Sequence, residues 1–343
     1  MNRRIIVLVS LLCTVVTILT LTLGCAKGPE AETPDKFYQG KTISWVASGT
    51  PGSTVDLFSR AMAQQFAKEL GATVVVENKA GGGGWEGVNY TYNKAKPDGL
   101  TIGCRIYEIM TLSDVTRTPG AEFQSEKFNW LGVVHTGPPI FLVTAKKPYQ
   151  TIQDLQQAKG LKFGSPSMGG DVIAEAAVIE TLKLDAKIIL GITAPELVLS
   201  LHKGEVDAIF GTETIAAKAI KDGAGKPLFT MYKKGSLLPD LPLFVNIAKM
   251  HPDNELLVKE FSGLSMTAFL PPNTPKDKTD YLRKVFSKIS ENRDSQQAII
   301  KALGVNAWYG YTAGDSAQKS VEELKARKDI PDKIKQLVDK YRG

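Results

Sequence analysis

The segment from Thr42 to Arg105 switches repeatedly between two hydrophobic periods, and that alternation limits the fold more than any other feature of the chain. Thr42 to Ser48 is rich in Ile, Trp and Val and reads as a strand. The Gly49-Thr50-Pro51-Gly52-Ser53 turn follows, after which Val55, Phe58, Met62, Phe66 and Leu70 recur at helical spacing until Gly71 stops the run. Thr73 to Glu77 is a short β-branched strand, and the turn Asn78-Lys79-Ala80-Gly81-Gly82-Gly83-Gly84 opens a second helix to about Lys94. Lys96-Pro97-Asp98-Gly99 then turns into a strand from Leu100 to Arg105. Strand, loop and helix in repetition call for an α/β fold with a parallel sheet, in which ligands bind outside the carboxyl ends of the strands.

The pattern restarts after about Ile140. Phe141 to Ala145, Leu161 to Gly164, Lys187 to Leu190, Val206 to Phe210 and Pro227 to Met231 read as strands, with helices over Asp171 to Leu182 and about Pro195 to His202. The chain returns through Gly263 to Leu270, and amphipathic helices follow near Lys278 to Ile289, Ser295 to Leu303 and Ser316 to Arg327, the second ending at Gly304. Two lobes are expected, lobe I from residues 37–140 plus 245–343 and lobe II from 141–244, with a ligand cleft between them.

Met1-Asn2-Arg3-Arg4 and the apolar run from Ile5 to Leu23 form the charged and apolar parts of a secretory signal, so export is expected. The run closes on Leu21-Thr22-Leu23-Gly24-Cys25, where a small residue precedes a cysteine as in a lipobox, although Thr22 stands where Leu is usual. Residues 1–24 are therefore expected to leave as a signal peptide and Cys25 to carry a lipid. Residues 25–36, polar and Pro-containing, would then tether the folded part in the periplasm or at the outer face of the cell membrane. Plain cleavage or a retained helix is the alternative, since the run is at the lower limit for spanning a bilayer. Of the three cysteines, only Cys104 falls in the folded part, and no intrachain disulfide is available to it. Lys and Arg total 42 against 36 Asp and Glu. The excess is scattered, so no nucleic-acid partner is expected, whereas attraction of an anionic solute is compatible.

Two glycine-bearing loops carry the chemistry. Pro51-Gly52-Ser53-Thr54-Val55-Asp56, entered through Thr50, lies between a strand and a helix, where unpaired backbone N–H groups and the positive end of the helix dipole converge. An anion fits there without a basic side chain. Gly52 lets the backbone approach closely, Ser53 and Thr54 add hydroxyl donors, and Asp56 can cap the amides or organise water. An ordinary Ser/Thr cap is the plainer reading. In Gly81 to Gly84, Gly82, Gly83 and Gly84 can turn backbone donors toward a ligand with no Cβ in the way; the plainer reading is a flexible surface turn. Gly82, Gly84 and Gly87 also fit GxGxxG, but the run follows the second strand rather than opening the fold, and no cofactor is expected.

The order ASGTPGSTVD, VVVENKAGGGG, AKPDGLTIG resembles the periplasmic solute-binding subunits of tripartite tricarboxylate transporters, the TctC/Bug receptors, whose pattern is PGGxxD, ENxxGAGG, PDGYTL. The likeness extends through FGSPSMGGD, LGITAPELVLSLHKGEVDAIF and AFLPPNTPKDKTDYLRKVF, and so covers nearly all of the mature chain in the right order. It implies a two-lobed periplasmic-binding-protein fold of the type II-like, Venus flytrap kind. Backbone amides of the first two loops would bind one ligand carboxylate, with Asp56 holding bridging waters. By position, the facing loops of the second lobe would add Ser165, Ser167, Gly169 and Asp171, then Ile192 and Thr193, then Phe210 and Thr212; a solvated turn is the plainer reading of each.

Three departures bear on the ligand: Ser53 replaces Gly, Trp85 follows the glycine run where a small polar residue is more usual, and Leu190-Gly191-Ile192 replaces YKG. The carboxylate cradle survives them, while Trp85 and Ile192 add apolar surface, pointing to a ligand less polar than citrate, such as an aromatic or branched monocarboxylate. Trp85 fits the lobe core equally well. The resemblance implies a monomeric receptor that captures a small organic carboxylate and delivers it to large and small integral-membrane subunits, with a sensor for a signalling partner as the alternative. Catalysis finds no support in the sequence. His135, His202 and His251 are not at metal-ligand spacing, so no metal is expected, and Ser165-Pro166-Ser167-Met168-Gly169 lacks the first glycine of GxSxG. Gly225-Lys226 has Ile220 and Pro227 where a phosphate loop needs Gly and Ser or Thr.

Overall fold

The strands divide between two sheets. The first holds β1 (Thr42–Ala47), β2 (Thr73–Asn78), β3 (Thr101–Ile106), β4 (Asn129–Val134), β10 (Met266–Leu270) and β11 (Tyr311–Ala313), in the order β11-β4-β10-β3-β1-β2. The second holds β5 (Ile140–Thr144), β6 (Leu161–Ser165), β7 (Ala186–Leu190), β8 (Ala208–Gly211) and β9 (Gly225–Thr230), in the order β7-β6-β8-β5-β9. The structure, a computed structural model, describes residues 33–343 apart from 166–169, 193, 233, 262 and 305–307, with the backbone alone at 170, 171, 194, 195 and 214. Cys25 and the signal segment, Ser167, Gly169, Thr193 and the side chain of Asp171 therefore lie outside the described residues.

β1, β2 and β3 are parallel, as their intervening helices require. Both sheets are nevertheless mixed rather than purely parallel. β5 begins at Ile140 beside Gly211, where β8 ends, and β10 begins at Met266 beside Ile106, where β3 ends. Each of these strands arrives from the other sheet at the edge where the parallel strands finish. It can enter only by running back, antiparallel to them.

The first core gathers Trp45, Phe58, Phe66, Leu282 and Phe286 around β1 and the Thr54–Leu70 and Lys276–Glu291 helices. The second gathers Phe141, Phe163, Phe210 and Phe229, with Phe141 stacked on Phe229 at 4.6 Å between ring centroids. Gly71 and Gly304 take left-handed φ of 60° and 65° and end their helices, as their positions in the sequence predict.

Two segments that the sequence reading places in lobe I pack with the second sheet instead. Helix Pro252–Phe261 contributes Leu257, Val258 and Phe261 to the second core, and helix Ile330–Asp339 contributes Ile334, Leu337 and Val338. Both lie against the Gly170–Leu182 helix. Every side chain of that helix from Val172 to Ile179 is buried, so it needs apolar cover on the side away from its sheet. The C-terminus is stitched to the same lobe, since the Gly343 amide donates to the Ile188 carbonyl at 3.0 Å. Among the described residues no helix is long and apolar enough to cross a membrane.

Candidate functional site

The register Ala47↔Asn78 and Ala47↔Cys104 sets the carboxyl ends of β1, β2 and β3 level, and the loops that leave them meet. Between them lies a pocket of about 310 Å³ lined by Gly49, Thr50, Ser53, Thr54, Val55, Ala80, Gly83, Gly84, Arg105 and Ile106. Thr50, Ser53, Thr54, Gly83 and Gly84, read from the two loops, are thus brought together. A wider recess of about 730 Å³ opens along the Lys276–Glu291 helix. Several of its charges pair with one another, Lys276 with Asp280 and Arg283 with Asp315, and neither of the two glycine-bearing loops lines it.

Ser53 caps the Thr54–Leu70 helix, its hydroxyl accepting from the Asp56 amide at 3.4 Å. The amides of Thr54 and Val55 precede any intrahelical acceptor, and both residues line the pocket. A 17-residue helix therefore presents its positive end to this space. In the second loop Gly82, Gly83 and Gly84 hold φ of 61°, 71° and 99°, three left-handed residues in succession. Only glycine adopts that run without strain.

Asp56 and Gly52 stand behind the pocket rather than in its wall. Asp56 is 3% exposed, and both of its oxygens are engaged. One accepts from the Gly52 amide at 2.9 Å and Arg60 Nε at 3.1 Å, the other from Arg60 at 2.9 Å and Asn78 Nδ2 at 2.9 Å. Asn78 also donates to the Gly49 carbonyl at 2.9 Å, which ties the first loop to the end of β2. Burial pushes the Asp56 pKa up, but the Arg60, Gly52 and Asn78 hydrogen bonds and the Arg60 charge outweigh it and hold the carboxyl below 3.8. Because the folded-state value is depressed, the stabilisation is complete above the unfolded value and is lost as pH falls through the folded one. Asp56→Ala is expected to weaken any ligand about tenfold and to cost about 2 kcal/mol of stability at neutral pH. The stability gap from wild type should close as unfolding is measured at successively lower pH below about 4. A gap independent of pH, or unchanged affinity on titration calorimetry, contradicts this bracing role.

Arg105, near the end of β3, lies between the two loops. Its guanidinium donates to the Ser48 carbonyl at 2.8 Å and to the Gly83 carbonyl at 2.6 Å, one from each loop. It also lies 5.5 Å from the ring centre of Trp85. Burial lowers its pKa to about 10, which leaves it cationic at neutral pH. Gly84 makes room for it, since a Cβ there would stand 2.6 Å from the Ser48 carbonyl oxygen and 2.7 Å from Arg105 Cζ.

Several other expected residues are placed in packing roles. Trp85 is half-buried against Phe123, with ring centroids 5.8 Å apart. Phe210 belongs to the second core, the half-buried Ile192 packs beside Ile209 and Leu197, and Thr212 caps the Glu213–Lys221 helix by accepting from the Ile215 amide at 3.3 Å. Ser165, at the carboxyl end of β6, is fully buried, and its hydroxyl has no partner among the described residues. Gly49, Val55 and Ala80 line the pocket as members of the two loop segments without being named as ligand contacts. Arg105 and Ile106 are not among the expected site residues, because their place follows from strand register rather than from any local motif.

The family model described as "Tripartite tricarboxylate transporter family receptor" matches residues 58–336. The "UPF0065 protein in tcbD-tcbE intergenic region" of Pseudomonas sp. is 25% identical over 313 residues, which cover 89% of this chain and 88% of that protein. Among solved structures, R. palustris Rpa4515 with adipate aligns at a TM-score of 0.69 and 17% identity, over 87% of this chain and 97% of that one. MatC from Rhodopseudomonas palustris with bound malate aligns at 0.63 and 19% identity, over 86% of this chain and 99% of that one. The two sheets and their helices form the two-lobed α/β fold of periplasmic binding proteins. The chain belongs to the tripartite tricarboxylate transporter receptor family, and it is a solute-binding protein rather than an enzyme.

Proposed function

We propose that this receptor is exported, held at the membrane through Cys25, and captures a small aliphatic carboxylate that it delivers to the large and small membrane subunits of a tripartite transporter. The observation that carries the ligand class is the pocket between the first two loops. There a helix amino terminus, a run of left-handed glycines and one guanidinium converge, and among the described residues no carboxylate lines the space. Residues 37–134 with about 265–327 would form the binding lobe that carries this pocket, and residues 140–261 with 330–343 the lobe that closes on it.

An aromatic or branched tail would need Trp85 and Ile192 to face the ligand. Both are half-buried in packing clusters, which favours an aliphatic acid. The adipate and malate held by the two structural neighbours fit that class. Titration calorimetry of the purified receptor against adipate, malate, citrate and a branched monocarboxylate tests the reading. Micromolar binding of an aliphatic dicarboxylate is expected. A folded receptor that gives no heat with any of the four rejects it.

A further inference from the structure

Arg60, beside the first loop, is paired with Asp56. Arg105 has no carboxylate partner among the described residues. Its guanidinium meets two backbone carbonyls and the face of Trp85, and its Nε is sealed from solvent with no partner among the described residues. A cation taken out of water loses its hydration, and two neutral carbonyls return only part of that. An uncompensated charge under an open pocket is therefore a standing attraction for an anion. The side chain is held by carbonyls of both loops, so the attraction costs no rearrangement when a ligand arrives.

We infer that Arg105 is the residue that makes this pocket select a charged carboxylate over its neutral isostere, acting as a fixed counter-charge behind the backbone donors. The inference rests on the carboxylate-receptor reading above. It has a structural consequence as well: the two carbonyl contacts make Arg105 a positioning residue for both loops, so a test must separate charge from shape.

Binding of adipate and of its neutral diamide to the wild type, Arg105→Lys and Arg105→Gln separates the two. If charge selects the ligand, the wild type prefers adipate by about 100-fold, Arg105→Lys keeps most of that preference, and Arg105→Gln binds adipate about 30-fold more weakly with the diamide nearly unaffected. Thermal unfolding of the three proteins shows whether each is folded. If Arg105 only shapes the loops, Lys and Gln lose adipate and diamide alike, and the inference is overturned. Equal affinity of the wild type for adipate and diamide overturns it too, while leaving the receptor reading intact. No binding of any carboxylate by the wild type defeats that reading first, and this inference with it.

Discussion

Gly84→Ala is expected to lower ligand affinity at least about 100-fold while leaving a folded receptor. Two costs act together. Gly84 sits at φ 99°, where an L-residue is strained, and its Cβ would fall 2.6 Å from the Ser48 carbonyl oxygen and 2.7 Å from Arg105 Cζ. The carbonyl is backbone at the end of β1 and the guanidinium is pinned by two hydrogen bonds, so neither can retreat cheaply. Relief comes from the glycine loop moving outward, which separates it from the helix amino terminus and opens the cradle. The stability cost should be about 2–4 kcal/mol, because the loop is at the surface and the cores are untouched. Gly83→Ala supplies the comparison: φ is 71°, but nothing lies within 4 Å of its Cβ. It should cost about 1 kcal/mol and only a few-fold in affinity. Calorimetry on both variants reads the difference. Equal losses would show that strain alone matters and that the close approach to Ser48 and Arg105 does not.

The pocket was half legible in the sequence, for a reason visible in these residues. Loop chemistry is local: Gly52-Ser53-Thr54 and the glycine run announce themselves because turn and cap residues act within a few positions of where they stand. Arg105 announces nothing. Its partners are Ser48 and Gly83, 57 and 22 residues away, and it reaches them only through the β1–β3 register. The lobe assignment of helices shows the same limit. The amphipathic pattern of Ile330–Asp339 says that one face is buried, and Ile334 and Leu337 do belong to a core. Nothing in the pattern says which core, and that is decided by the helix Gly170–Leu182, whose side chains from Val172 to Ile179 are all buried. Trp85 fitted both ligand surface and core by composition, and geometry puts it on Phe123. The direction of β5 and β10, which enter from the opposite lobe, is not legible in the sequence, since alternation reports exposure and not polarity of the chain.

The second large effect is expected where the lobes touch. Glu213 opens the helix after β8 in the second lobe and is 1% exposed. Its carboxylate accepts from the Leu237 amide at 3.0 Å, from the Ser236 hydroxyl at 3.3 Å and from the phenol of Tyr309, which precedes β11 in the first lobe. Tyr309 in turn lies over Gly137 in the segment joining β4 to β5, where a Cβ would come within 3.0 Å of the ring. Gly235 also has to be glycine, since its Cβ would overlap Glu213 Oε1. A buried charge held by three donors at a helix amino terminus is therefore a clasp between the lobes beside their crossing strand. Glu213→Ala leaves the Leu237 amide without its acceptor and the Tyr309 hydroxyl with Ser236 Oγ alone, and should cost about 3 kcal/mol, whereas Tyr309→Phe keeps the ring and should cost about 1 kcal/mol. Denaturant unfolding measures both. Because the bond joins the two lobes, its loss should also favour a separated state, and small-angle scattering of ligand-free Tyr309→Phe should show a larger radius of gyration than the wild type. A Glu213→Ala receptor within about 0.5 kcal/mol of wild type would show that the clasp bears no weight, since that is the range of an ordinary surface substitution. Full loss of stability with an unchanged radius would confine its role to the second lobe, with Ser236 and Leu237 as its only partners of consequence.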